Sequence, residues 1–228
     1  MDITKRLLEL DPSLSRHVEG DWTKPYDPSD PASLGSFTSF NDAGIEVETG
    51  EFFYGLTRLL KPDHVLETGT HWGIGASYIG SALKENQKGL LETIEFLSEI
   101  HLRAYKRFQD LQLTGYINAI LGDVKDFQPQ HTYKLIFLDT EPQTRFAELV
   151  KFFPYLEEGG FIFIHDLHRH MHQIENQEHG FAWPYGRIPG EMNQLITSGQ
   201  LRPFHFSTPR GLSGFYKVSL EDYKWPTI

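Results

Sequence analysis

The residues of this chain that could carry chemistry begin with a glycine-rich stretch, "VLETGTHWGIGASYIG" (residues 65–80). Gly69, Gly73 and Gly75 follow an apolar run, and glycine lets a backbone turn sharply and a ligand approach it closely. The spacing is not the G-x-G-x-x-G that seats a pyrophosphate, and the stretch lacks the G-K-[ST] of a phosphate-binding loop. Glu67 would repel a phosphate but attract a cation. The stretch therefore predicts a binding turn for a nucleoside-like, positively charged cofactor.

Three more acidic residues stand where predicted strands end. Glu95 comes 20 residues after Gly75, which is about the offset at which a carboxylate accepts hydrogen bonds from ribose hydroxyls. Asp123 follows "INAILG", and Asp139 follows "KLIFL". Each acid alone could equally be a helix N-cap. Because ligands bind at the carboxyl ends of parallel strands, their recurrence there predicts that all three contribute to the cofactor site.

A dense histidine run, "IHDLHRHMH" (residues 164–172), follows the last predicted parallel strand. Imidazoles titrate near neutrality, so they can act as general bases or as metal ligands. The run is either a metal site or a polar active-site loop in which one histidine matters and the others are solvated. We favour the second interpretation, with His168 as the base because it follows Asp166 most closely. Asp166, His168 and His165 are the predicted catalytic residues.

The elements that must position these residues alternate regularly from residue 46 onward. Apolar strand-like runs are separated by runs with helical spacing, which indicates a parallel sheet covered on both faces. The last two strand-like runs, "LRPFHFST" and "SGFYKVSL", are joined only by "PRGL", a link that permits a hairpin but not a parallel crossover. We predict an α/β protein with a Rossmann-like, doubly wound, mostly parallel seven-stranded sheet and a C-terminal antiparallel hairpin.

Residues 1–45 have a different texture. A short amphipathic helix, "MDITKRLLELDPSL", precedes a segment dense in Pro, Asp, Ser and Gly, "EGDWTKPYDPSDPASLGSF". Such a composition is typical of irregular structure. We predict an N-terminal helix and an irregular arm or lid over 1–45, and one domain over 46–228.

Composition excludes several classes of function. The formal net charge is −10, which disfavours nucleic acid or an anionic membrane as the main partner. The chain has no cysteine, so thiolate nucleophiles, disulfides and Cys-based zinc sites are excluded. No apolar run has the length of a membrane span, and the charged N-terminus is not typical of a signal peptide. We expect a soluble, cytoplasmic protein, and the apolar N-terminal helix could pair two copies as a homodimer.

From Glu46 to Lys217 these motifs together resemble the class I S-adenosylmethionine-dependent methyltransferases. The likeness is greatest to the small-molecule O-methyltransferases, which include catechol- and caffeoyl-CoA-like enzymes and antibiotic-tailoring relatives. "VLETGTHWGIGASYIG" resembles the first motif of the family, "LLETIEF" its ribose-binding acid and "LGDV" its adenine-side acid. The resemblance implies S-adenosylmethionine as cofactor, with Glu95 on the ribose and Asp123 near the adenine. The residues around its methionine part would be Glu67, Gly69, Gly73, Gly75 and Ser77.

The resemblance also bears on a metal. Many relatives hold a divalent cation such as magnesium with a carboxylate after strand four and an acid–amide pair after strand five. Asp139 and Asp166 fill the first two positions, but Leu167 stands in the third and cannot ligate. Related families place the third ligand just before the aspartate, and here that residue is His165. The predicted metal ligands are therefore Asp139, Asp166 and His165, with Glu141 as a substitute.

The expected function is S-adenosylmethionine-dependent methyl transfer to an oxygen of a small molecule, with metal assistance left open. One alternative is a cofactor-binding protein that has lost methyl transfer, and another is a sugar- or antibiotic-tailoring enzyme on the same scaffold. A dehydrogenase is disfavoured by the broken dinucleotide fingerprint. Phe181, Trp183 and Tyr185 could wall a flat, aromatic acceptor, or could instead pack on the N-terminal arm.

Overall fold

The computed structural model describes residues 2–11, 14, 17–19, 37–40, 44–166, 190–206 and 211–219. Its chain divides into two compact units, Met1–Phe127 and Gln128–Ile228. Among the described helices, none has both the length and the apolar character that crossing a bilayer requires. The predicted boundary at residue 45 stays a prediction.

The first unit contains a parallel sheet and its helices. Strands β3, β4 and β5 are parallel to one another in the order β5-β4-β3. Strands β1 and β2 form a separate antiparallel pair, a short ladder where the sequence predicted only irregular structure. Strands of three residues are too short to show the alternation that identifies a strand. The elements are α1 (Ile3–Leu10), β1 (His17–Glu19), β2 (Phe37–Ser39), α2 (Val47–Leu60), β3 (His64–Thr68), α3 (Ile74–Asn86), β4 (Leu90–Glu95), α4 (Ser98–Asp110) and β5 (Ile117–Leu121).

Local sequence explains where these elements end. Helix α2 stops at Lys61, which takes a left-handed conformation (φ 47°), just before Pro62, a residue that disfavours helix in its predecessor. Every residue of helix α3 from Ile74 to Leu83 is buried, so this helix forms the centre of the unit. A helix that is apolar all round belongs in a core rather than at a surface.

The second unit contains strands of both directions. Its strands β6 and β7 are parallel, whereas β9 runs antiparallel to both β7 and β8. The elements are β6 (Tyr133–Leu138), α5 (Pro142–Phe152), a 3-10 turn (Phe153–Tyr155), β7 (Leu156–His165), α6 (Gly190–Thr197), β8 (Leu201–Phe206) and β9 (Leu212–Lys217). The predicted fold class is confirmed: a mostly parallel, Rossmann-like sheet of seven strands with an antiparallel C-terminal hairpin.

Strand β7 begins earlier than the sequence predicted. We expected it only from the run "GFIFIHD", which starts at Gly160, because the two glycines of "EEGG" are typical of a turn. In the structure Tyr133 pairs with Leu156 and Leu135 pairs with Phe161, so the register shifts between them. Gly159 has a φ of 67° within this irregularity. The two glycines therefore form a bulge inside a longer strand, a known use of glycine in sheets.

Candidate active site

The glycine turn (residues 69–73) connects β3 to α3 and is fixed to the neighbouring strand. The N–H groups of Gly69 and Thr70 donate to the carbonyl of Ile94 at 3.0 and 3.1 Å, and the Gly73 N–H donates to the Thr70 carbonyl at 2.8 Å. Gly69 and Gly73 have φ angles of 81° and 75°, in the left-handed region that costs other residues roughly 1–2 kcal/mol. The turn therefore needs glycine at both positions, as the sequence predicted.

Gly73 also allows two helices to approach each other. A Cβ at this position would lie 2.7 Å from Cε1 of Phe108 and 3.1 Å from Cβ of Ala104, both on α4. Gly75 is buried in the first turn of α3. Ser77 is fully buried, and its hydroxyl donates to the Gly73 carbonyl at 2.6 Å. The Ser77 hydroxyl thus supports the turn from within the protein.

Glu67 is a buried carboxylate next to the glycine turn. It is 2% exposed, and its Oε2 accepts a hydrogen bond of 2.5 Å from the hydroxyl of Thr93. The Thr93 oxygen lies 2.5 Å from that of Thr70. Because the Thr93 proton points to Glu67, Thr70 must donate to Thr93. This hydrogen-bond chain joins β3, β4 and the turn, and it holds the Glu67 carboxyl group beside the turn.

Glu95 links the end of β4 to the glycine turn. Its Oε2 accepts the His71 N–H at 2.8 Å, and its Oε1 accepts the Leu97 N–H at 2.9 Å. Each carboxylate oxygen has two lone pairs, so each can accept one further hydrogen bond. A pair of ribose hydroxyls would supply two such donors, and the carboxylate therefore fits the predicted role.

The adjacent end of β5 carries Asp123. Its Oδ1 accepts the Lys125 N–H at 2.8 Å, and the neighbouring Gly122 N–H donates to the Glu95 carbonyl at 2.9 Å. The strand ends that carry Glu95 and Asp123 are therefore held together.

Sequence reasoning missed a set of exposed apolar side chains near these acids. Phe96 is 67% exposed, and Leu97 and Leu121 are each 52% exposed. Exposed apolar clusters of this kind mark binding surfaces more often than single residues do. The sequence did contain a signal for this apolar surface, because Phe96 directly follows Glu95, the predicted ribose-binding residue.

A second missed feature is a pair of arginines on α4 that contact Trp72. The guanidinium carbon of Arg103 lies 3.5 Å from the centre of the Trp72 ring. Arg107, which is 6% exposed, donates both to the Trp72 carbonyl and to the carboxylate of Asp11, just beyond α1. Burial lowers the pKa of Arg107, and the Asp11 carboxylate opposes that shift. The N-terminal helix is thus linked to the glycine turn through one arginine.

The second unit brings the three predicted metal ligands together. Oxygen and nitrogen donor atoms of Asp139, His165 and Asp166 all lie within 4.8 Å of one another. His165 Nδ1 is 2.9 Å from Asp139 Oδ1 and 3.6 Å from Asp166 Oδ1. Among the described residues, Glu141 is outside this group. We call these three residues the acidic cluster.

Arg145, which the sequence did not single out, contacts every member of the acidic cluster. Its Nη2 lies 3.3 Å from Asp139 Oδ1 and 3.1 Å from Asp166 Oδ2. Its Nη1 donates to the His165 carbonyl, and its Nε donates to the Thr140 carbonyl at 2.7 Å. Arg145 is 3% exposed. A buried guanidinium therefore already compensates the two carboxylates.

This arrangement decides whether a divalent cation fits. The three donors are suitable in type and spacing, but a dication among them would share both carboxylates with Arg145. At an effective dielectric constant of 20 and a separation near 4 Å, the repulsion between a dication and a guanidinium is about 8 kcal/mol. This repulsion opposes a divalent metal in the acidic cluster as folded, because Arg145 already contacts both carboxylates.

Several predicted residues lie outside the described part of the chain. They include His168, the proposed base, and Leu167, at the position of a missing metal ligand. The aromatic residues Phe181, Trp183 and Tyr185 lie there as well. Their roles stay predictions.

Known proteins resemble part of this chain in sequence and most of it in fold. Residues 66–167 match a family model described as a methyltransferase domain, whereas no curated protein has a matching sequence. The O-methyltransferase TomG from Streptomyces achromogenes, involved in tomaymycin synthesis and solved with S-adenosylmethionine, has a TM-score of 0.61 at 14% identity, covering 79% of this chain and 84% of that one. An O-methyltransferase from Bacillus cereus, solved with S-adenosylhomocysteine, has a TM-score of 0.63 at 16% identity, covering 78% and 84%.

A third solved structure gives the same result. The S-adenosylhomocysteine-bound methyltransferase of Podospora anserina has a TM-score of 0.60 at 12% identity, covering 78% of this chain and 81% of that one. At these identities the likeness shows the fold, and the family model adds the assignment of the domain. These findings agree with the resemblance seen in the sequence: residues 66–167 match a methyltransferase domain, and the chain shares its fold with solved O-methyltransferases.

Proposed function

We propose that this protein transfers a methyl group from S-adenosylmethionine to an oxygen of a small-molecule acceptor. The observation that carries the proposal is the glycine turn with its two carboxylates, Glu67 and Glu95, inside a matched methyltransferase domain. A net charge of −10 fits a small acceptor better than a nucleic acid.

The cofactor would bring an activated methyl group on a sulfonium. The protein therefore needs only to bind and orient the cofactor and the acceptor, and to remove the acceptor's proton. Glu95 would accept hydrogen bonds from the ribose with the lone pairs that its backbone partners leave open. Glu67 and the hydroxyl chain behind it would stabilise the positive charge near the turn. Asp123 would lie toward the adenine, and the exposed Phe96 offers an apolar face beside it.

The acceptor side of the reaction is assigned to the acidic cluster. Methyl transfer requires the acceptor oxygen in line with the methyl group at roughly 3–3.5 Å, and its proton must leave. The side chains of Asp139 and Asp166 are 16% and 13% exposed, whereas that of His165 is 1% exposed. Asp139 or Asp166 would therefore meet the acceptor, and His165 would act as a positioning residue for Asp139. His168 stays the base that the sequence predicts.

The acceptor that we propose is a hydroxylated small molecule with a flat ring. Phe181, Trp183 and Tyr185 in the sequence supply aromatic side chains for such a ring. TomG, a structural relative, is involved in tomaymycin synthesis, which supports a tailoring role in the synthesis of a small natural product.

The test is a methyl-transfer assay with S-adenosylmethionine carrying a tritiated methyl group and a panel of phenols, catechols and hydroxylated sugars. Acceptor-dependent transfer of tritium to a methylated product, which Asp166→Asn reduces, is the expected result. Tight binding of the cofactor without turnover on any acceptor would favour a protein that has lost methyl transfer. Absence of cofactor binding would overturn the proposal.

A further inference from the structure

Arg145 has the surroundings of a built-in counter-ion rather than of a surface arginine. It lies on α5, is 3% exposed, and its guanidinium donates to two backbone carbonyls and contacts two carboxylates. A planar guanidinium whose N–H groups contact partners in several directions is held in one orientation. The positive charge is thus fixed at one point between Asp139 and Asp166.

The donors around this charge are those of a cation site. Two carboxylates and one imidazole within 4.8 Å of one another are ligands that divalent ions accept. One element of backbone strain accompanies them, since Asp166 has a φ of 54°, and such conformations persist only where the surroundings hold them. Thr140, whose carbonyl accepts from Arg145, also donates its hydroxyl to the buried Glu148. The donors therefore form one connected network with Arg145 at its centre.

We propose that Arg145 is the resident cation of the acidic cluster: its guanidinium takes the place of a divalent metal, orients Asp139 and Asp166, and excludes a metal from them. If the proposed methyl transfer is correct, on which this consequence rests, turnover proceeds equally with magnesium and with a chelator. Metal exclusion itself is a property of the folded chain and does not depend on turnover.

The experiment measures Mn²⁺ binding to the full chain by the loss of the free-ion signal in electron paramagnetic resonance. The proteins are the wild type, Arg145→Met, Arg145→Lys and a matched control, Lys151→Met, which removes a positive charge from the same helix. Binding of S-adenosylhomocysteine to each protein is measured in parallel, so a failed cofactor assignment is recognised separately.

Wild type and Lys151→Met should show no saturable Mn²⁺ binding up to about 1 mM. Arg145→Met should bind Mn²⁺ with a Kd at least about tenfold below that limit. Arg145→Lys, which keeps the charge, should again exclude the metal. Asp139→Asn in the Arg145→Met background should abolish the new binding.

Two results would overturn the proposal. One is wild-type Mn²⁺ binding that Asp139→Asn removes, and the other is a folded Arg145→Met protein that does not bind Mn²⁺. If Arg145→Met is destabilised because its carboxylates lose their partner, its thermal midpoint is measured with and without added Mn²⁺. A rise that the wild type does not show supports the proposal, and equal midpoints with and without Mn²⁺ contradict it.

Discussion

Replacing Gly73 with alanine tests whether the glycine turn is required by geometry. The residue has a φ of 75°, which costs an alanine roughly 1–2 kcal/mol. The new Cβ would also lie 2.7 and 2.8 Å from ring carbons of Phe108, a side chain that is 1% exposed. Overpacking of this kind costs roughly 1–3 kcal/mol. The expected loss in the free energy of unfolding is therefore about 2–5 kcal/mol.

Urea unfolding of wild type, Gly73→Ala and Gly55→Ala measures this loss. Gly55 lies inside α2, and a Cβ there would have no heavy atom within 4 Å. Gly55→Ala should therefore gain roughly 0.5–1 kcal/mol from reduced chain entropy. Gly73→Ala as stable as wild type would refute the reasoning, because it would mean that the turn accepts an ordinary residue without cost.

Three further changes test other contacts. Thr93→Val removes the donor to the buried Glu67 and should lower the free energy of unfolding by about 1–3 kcal/mol; Thr93→Ser should recover most of it, and equal losses in urea would contradict this role. Asp11→Asn should lower the thermal midpoint and speed tryptic cleavage near α1, because Arg107 loses its carboxylate; unchanged cleavage would argue against the link. Burial lowers the pKa of His205, so its stabilising effect is present above the unfolded pKa of about 6.5 and is lost as pH falls below it. His205→Gln should therefore lose less stability than wild type between pH 7 and 5 by thermal unfolding, and parallel curves would count against the shift.

Much of the fold could be predicted because its signals are local. Each buried parallel strand is a short apolar run, and each helix has its own periodicity and end signals. The four-residue link "PRGL" excluded a crossover by its length alone. The glycine turn could be predicted for the same reason, since its sharp change of direction falls within five residues of the strand that precedes it. The bulged start of β7 was missed because its glycines are typical of turns.

The charged partners could not be predicted because they are tertiary. Arg107 is 96 residues away from Asp11, and Arg145 is 21 residues away from Asp166. No local pattern distinguishes a buried arginine from the exposed ones that are far more common. The three members of the acidic cluster were anticipated from the resemblance to metal-binding relatives, but the guanidinium that contacts all three was not.

The most direct test of the account is calorimetric titration of S-adenosylmethionine into wild type, Glu95→Gln and Glu92→Gln. Glu92 lies on the same strand and is also buried, so Glu92→Gln is a matched control for loss of a carboxylate. Thermal midpoints establish that each variant is folded, since Glu95 also accepts two backbone N–H groups. Saturable binding to wild type and Glu92→Gln, weakened at least about tenfold in Glu95→Gln, is the predicted result. Absence of binding to wild type, or equal affinity in all three proteins, would contradict the assignment of the glycine turn and Glu95 to the cofactor.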